Sequence, residues 1–290
     1  MTPDDVFIAP FVEFDFMRRA LVGTVVLAFG AAPVGVFLML RRMSLVGDAM
    51  AHAILPGAAL GFLTAGLNVF AMTAGGIVAG IVVAVLTGIV ARATDLKEDA
   101  SLAAFYLVSL ALGVTIVSVK GTNIDLLHVL FGTVLALDNP TLILIGLITS
   151  VTLAVFALIY RPLVLECVDP GFLRSVSRSG GPAHIAFLAL VVLNLVAGFH
   201  ALGTLLAVGL MMLPAIIARF WTRDVTLMLV VAVASAIVSG VIGLLVSFHA
   251  SVPSGPAIIL TAGALCVASG LFGRVGGVVW NAFPGRHLEA

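Results

Sequence analysis

Charge is scarce in this sequence. Only 10% of its 290 residues are Asp, Glu, Lys or Arg, against about 25% in an average soluble domain. Basic and acidic residues balance at 14 each, so nothing supplies the cationic surface that a nucleic-acid partner requires. Cysteine is rarer still. Cys167 and Cys266 stand alone, without metal-ligand spacing, and read as small apolar fillers. No Gly-x-x-x-x-Gly-Lys-[Ser/Thr] loop occurs, so any ATP-driven work must come from another chain. No His-Glu-x-x-His and no nucleophile elbow occur, which removes the case for hydrolytic catalysis. A secretory leader pattern is also missing. Asp4, Asp5, Glu13 and Asp15 precede Arg18 and Arg19, so the first apolar segment is expected to be retained.

What the chain has in abundance is apolar sequence. It is 62% hydrophobic with a mean hydropathy of +1.26, which excludes an ordinary soluble protein. Runs near the 20 or so residues that cross a bilayer as a helix predict an all-α polytopic bundle of eight to nine spans. They fall at roughly 20–40, 46–65, 69–91, 101–119, 140–160, 184–200, 202–218, 225–247 and 256–274. Residues 1–17 are expected to form a short interfacial helix. The segment 121–138, broken by Asp125, His128, Gly132 and Asp138, is expected to be re-entrant or interfacial. The whole of 1–290 is expected to be one transmembrane domain. With the N-terminus outside, every basic residue except Arg18, Arg19 and Lys120 faces the cytoplasm, as the excess of cytoplasmic Lys and Arg requires. The largest cytoplasmic loop is then 161–183. In it Asp169 can cap a short helix starting at Pro170, and Gly180-Gly181-Pro182 can end that helix. Such a helix is either a docking element or a solvated connector.

Between Arg42 and Arg92 the only ionisable side chains are Asp48 and His52. Four residues apart on a helix, they share one face, and a carboxylate and an imidazole together can hold a divalent cation. Counted from Arg42, Asp48 lies about 9 Å and His52 about 15 Å into the membrane, the latter near its midplane. Pro56 and Gly57 follow at once and should break the helix. Broken helices beside polar groups at the midplane recur in transporters. The alternative is a structural Asp–His pair that holds two helices together. Zinc usually takes four ligands and the chain has no second such pair, so a homodimer with the site near its axis is expected.

These residues resemble the membrane permeases of bacterial zinc/manganese ABC importers. Arg41–Gly57 is similar to that family's Arg-Met-Ser-Leu-x-Gly-Asp-Ala-x-x-His-Ala-x-Leu-Pro-Gly signature. Weaker matches follow in order: Leu130-Phe131-Gly132, Gly203-Thr204-Leu205-Leu206 through Leu213-Pro214-Ala215, and Pro253-Ser254-Gly255-Pro256. The resemblance implies a type II ABC importer-like permease in the cytoplasmic membrane. Its implied partners are a second copy of the chain, a separate ABC ATPase dimer and an extracytoplasmic metal-binding protein. It assigns Asp48 and His52 to metal coordination in the pathway, and Asp169, Pro170, Gly171 and Phe172 to the start of the coupling helix. One departure stands before the Pro-Ser-Gly turn, where the family often carries an acid and this chain reads His249-Ala250-Ser251-Val252.

Four functions compete: an ABC metal permease, an ATPase-independent cation transporter, a permease for chelated iron or a vitamin, and a membrane scaffold. The docking-like loop favours the first over the second, the ionic pair counts against the third, and the scaffold would make the pair purely structural. The cargo is a transported divalent metal, with no permanently bound cofactor. His128, His200 and His249, all expected at the outer mouth, tilt the choice to zinc over manganese or iron and suggest an outer relay.

Overall fold

A computed structural model describes residues 7–66, 68–96, 98–119, 137–168 and 180–282. All regular structure in them is helical: α1 (Ala9–Glu13), α2 (Asp15–Leu40), α3 (Ser44–Ala53), α4 (Leu55–Ala65), α5 (Val69–Ala93), α6 (Glu98–Val119), α7 (Asn139–Val168), α8 (Gly180–Leu202), α9 (Thr204–Trp221), α10 (Val225–Ala250), α11 (Ser254–Phe272) and α12 (Val278–Ala282). Nine helical stretches among the described residues are long and apolar enough to cross a membrane, α3 and α4 together making one of them. Each coincides with one of the nine expected spans.

Local chemistry sets the helix boundaries. The Asn68 side chain accepts from the backbone N–H groups of Phe70 and Ala71, at 3.0 and 3.2 Å, and so starts α5. Asp138 does the same for Thr141 at 3.0 Å ahead of α7. Asp224 accepts from Leu227 at 2.8 Å ahead of α10. These caps satisfy N–H groups that lack partners in the first turn. The Thr141 hydroxyl and backbone N–H, bonded to Asp138, hold its carboxyl below the ordinary aspartate range. Gly203 (φ 82) separates α8 from α9 in a conformation that only glycine enters freely.

Helix α2 is the centre of the bundle and packs against α3, α7, α8, α9 and α10. The α2–α7–α8 seam is polar. Thr149 donates to the Val26 carbonyl at 3.2 Å, and Asn194 donates to Thr152 Oγ1 and the Leu190 carbonyl, both at 2.9 Å. Inside a membrane such bonds and close backbone approach replace the hydrophobic drive that water gives soluble bundles. Helices α5 and α6 are peripheral. Phe70, Val78, Ile89, Leu107 and Val108 present exposed apolar surface, which suits lipid or another membrane chain.

Two expectations need correction. The loop placed at 161–183 does not begin at Arg161, because α7 runs on through Pro162 to Val168. Leu163 is fully buried and anchors the extra turns, and Glu166 comes beside Arg41 at the end of α2. Gly180-Gly181-Pro182 opens α8, and residues 169–179, where the preceding helix was expected, lie outside the described residues. Most of the segment 121–138 lies outside the described residues, and only Leu137 and Asp138 can be placed. Of the segment 1–17 expected as a short interfacial helix, Ala9–Glu13 form α1, Phe14 sets it off, and residues 15–17 already belong to α2, while residues 1–6 lie outside the described residues.

Helices α4 and α5 meet where only glycine fits. A Cβ on Gly57 would collide with the Gly75 carbonyl and approach Ala79 Cβ to 2.7 Å, whereas one on Gly88 would meet nothing within 4 Å. Gly57→Ala should therefore destabilise the protein by about 1–3 kcal/mol, while Gly88→Ala should leave the thermal unfolding midpoint in detergent unchanged. Equal midpoints for the two variants would contradict this packing.

Candidate metal-binding element

The break expected at Pro56-Gly57 is present. Helix α3 ends at Ala53, α4 begins at Leu55, and Pro56 occupies the first turn of α4, where its missing N–H costs nothing. Proline cannot donate to the His52 carbonyl four residues back, so the helical ladder is interrupted at the break. Helix α6 reaches the next carbonyl. The buried Ser109 hydroxyl donates to the Ala53 carbonyl at 2.8 Å. One turn earlier on α6, the Tyr106 ring lies over the His52 imidazole, with centroids 6.4 Å apart and planes at 30°. Ser109 fixes the end of α3, and Tyr106 limits the swing of the imidazole. Neither contact is legible in the sequence, since Ser109 stands 56 residues from its acceptor. A polar residue one turn from an aromatic, on a span facing the broken helix, was the available signal.

Helix α3 is buried on one side through Val46, Gly47, Ala49, Met50 and Ala53, and packs against α2, α6, α8 and α9. Its other side carries Leu45, Asp48 and His52 along one stripe. The Asp48 side chain is 66% exposed and that of His52 28%, with Asp48 Oδ1 and His52 Nε2 3.9 Å apart. That is too long for a hydrogen bond and leaves both atoms available to a third partner. Counted from Ser44, where the helix starts, Asp48 sits about 6 Å and His52 about 12 Å along its axis, somewhat shallower than a count from Arg42 gives. Among the described residues no three His, Cys, Asp or Glu side chains gather into a possible cation site. The pair is two ligands and an open side.

The remaining candidate residues do not join it. His128 and the coupling candidates Asp169, Pro170, Gly171 and Phe172 lie outside the described residues. His200 falls in α8, with its side chain outside the description. His249 is exposed at the end of α10, its Nδ1 2.9 Å from the Leu245 carbonyl and its ring edge-on to Phe248.

Nine membrane-length helices among the described residues, one of them broken beside an acid–imidazole pair, define a polytopic membrane protein with an ionic element inside a span. The ABC 3 transport family model matches residues 13–273, and the chain belongs to that family. It is 32% identical over 256 residues to the manganese import system permease protein ScaB of Streptococcus parasanguinis, covering 88% of this chain and 90% of the relative. It is 33% identical over 247 residues to the chelated iron transport system membrane protein YfeD of Yersinia pestis, covering 85% and 82%. The solved structure of PsaBC from Streptococcus pneumoniae in complex with Fab has a chain that superposes with a TM-score of 0.84 at 27% identity, covering 95% of this chain and 98% of that one. The protein is thus a multi-pass bacterial membrane protein of the ABC transporter class.

Ser109→Ala removes the cross-helix donor at the break. It should lower stability by about 1 kcal/mol, the scale of an interhelical hydrogen bond in a membrane, and weaken divalent-cation binding by more than that loss explains. An unchanged unfolding midpoint with unchanged binding would show that α6 does not hold the break.

Proposed function

We propose that this chain is the permease subunit of an ATP-driven importer of a divalent transition metal, with manganese as the leading cargo and ferrous iron next. The observation that carries the reading is the open Asp48–His52 pair, an acid more than half exposed on a broken membrane helix. A carboxylate facing hydrocarbon is costly. A second copy of the chain across a two-fold axis would cover the stripe and bring two carboxylates and two imidazoles together. Four such ligands suit manganese and ferrous iron, and a relay that must release its ion needs no tighter set.

The choice of cargo follows the relatives, which are named for manganese and chelated iron. The case for zinc rested on His128, His200 and His249 acting together. Only His249 has a described side chain, and its Nδ1 is engaged with a backbone carbonyl. Manganese therefore moves ahead of zinc. The chain has no phosphate-binding loop, so ATP hydrolysis belongs to a partner ATPase dimer. The segment beginning Asp169-Pro170-Gly171-Phe172 would dock that partner. An extracytoplasmic metal-binding protein would deliver the ion to the opposite face. The chain itself is a transport subunit and not an enzyme.

Asp48→Asn and His52→Ala should each abolish manganese uptake by cells while membrane insertion and expression stay normal. Ordinary accumulation in either variant would remove the site assignment. The pair also sets a pH dependence. An imidazole must be neutral and a carboxylate ionised to bind a metal, so protons compete with the ion. Manganese binding to the purified permease should weaken as pH falls from about 7.5 to about 5.5. Binding that stayed flat across that interval would exclude His52 as a ligand.

A further inference from the structure

A second ionic pair lies at the other end of the joint that leads to the site. Arg41, at the end of α2, pairs with Glu166 in the last turn of α7, with side chains only 7% and 20% exposed. The guanidinium also lies 5.1 Å from the centre of the Phe187 ring on α8. Arg41 Nη1 and Glu166 Oε2 make no hydrogen bond among the described residues, so the two side chains are held by proximity of charge. Burying charge in this way is a poor route to stability, because a well-packed apolar pair of similar volume holds helices as firmly or more so. Helix packing alone therefore gives no reason for the pair.

Its position does. After Arg41 the chain turns through Arg42, whose φ of 60 is one of two positive values outside glycine among the described residues. Met43 N–H closes the turn on the Leu38 carbonyl at 2.8 Å, and α3 starts at Ser44. The turn is tight and strained, and α3 is a single rigid run from there to Asp48 and His52. On the other side of the pair, Pro162 stands four residues before Glu166 inside α7. Its missing N–H is a local weak point about which the tail of α7 can tilt. One ion pair thus ties a helix tail containing Pro162 to the end of α2, at the turn that leads into the helix carrying the candidate ligands.

We propose that Arg41 and Glu166 are positioning residues that carry movement of the α7 tail into α3, and so govern whether Asp48 and His52 hold or release the ion. This rests on the metal-import reading above. An ion pair with some access to water can part and re-form between two arrangements. Apolar packing of the same volume gives no such tie.

The test uses the permease reconstituted in proteoliposomes with its ATPase and its metal-binding protein. It reads manganese taken up per ATP hydrolysed, alongside manganese affinity of the purified permease. The double variant Arg41→Met/Glu166→Leu keeps volume and removes both charges. It should keep the wild-type thermal midpoint and an affinity within about twofold, yet move at least about tenfold less manganese per ATP. Wild-type uptake per ATP in this variant would overturn the proposal by showing that the pair only fastens helices. A loss of affinity as large as the loss of uptake would overturn it too, because the pair would then be shaping the site and not coupling it. If the double variant does not assemble, Glu166→Gln, which keeps the shape and removes the charge, is judged by the same two readouts. Failure of the unaltered permease to bind manganese at all would remove the metal-import reading itself, and the proposal with it.

Discussion

A carboxylate on a membrane-spanning helix must have somewhere to put its charge. Asp48 is that carboxylate, and much of what surrounds it answers the constraint. It stands on a face of α3 left open by the single chain, 3.9 Å from an imidazole, in a helix that stops five residues later. Lipid is a poor neighbour for such a group, by several kcal/mol even on the more lenient scales. Water, a cation and a second protein chain are the neighbours that remain, and a metal path through a dimer supplies all three. A buried structural pair would instead show both side chains enclosed and in hydrogen-bond contact, and neither is so here.

The bundle serves this site by being stiff where α3 leans on it. Helices α2, α8 and α9 form the buried side, closed by alanine, glycine and valine contacts and by the Thr149, Thr152 and Asn194 bonds. Helix α6 packs along α3 more extensively than any of these, and at the break it adds the Ser109 bond and the Tyr106 ring. The packed helices set where α3 lies, and the Ser109 bond marks where it ends.

Much of this was legible in the sequence, for identifiable reasons. The nine spans follow from hydropathy because lipid forces long, unbroken apolar helices. The broken helix follows from Pro56, and the candidate pair stands out as two ionisable groups isolated in an uncharged stretch, while its role in transport remains a proposal. What escaped depends on contacts between distant residues. Arg161 marks the end of an apolar run, but Leu163 and Glu166 find partners in the bundle and the helix continues to Val168. Arg41 reads as one more cytoplasmic cation until its pairing with Glu166 is seen. Ser109 and Tyr106 stand one turn apart on an apolar span, a signal that does not name their partners on α3. The zinc expectation gained no support because the relatives are named for manganese and chelated iron, and composition alone does not tell whether histidines at one end of a bundle meet.

The most direct measurement is the stoichiometry of manganese on the detergent-purified permease, by equilibrium dialysis with the chain concentration known independently. A site shared between two copies should bind one ion per two chains and lose it when Asp48 is replaced by Asn. One ion per chain, or binding that persists with both Asp48 and His52 replaced, would contradict a metal path built from this pair.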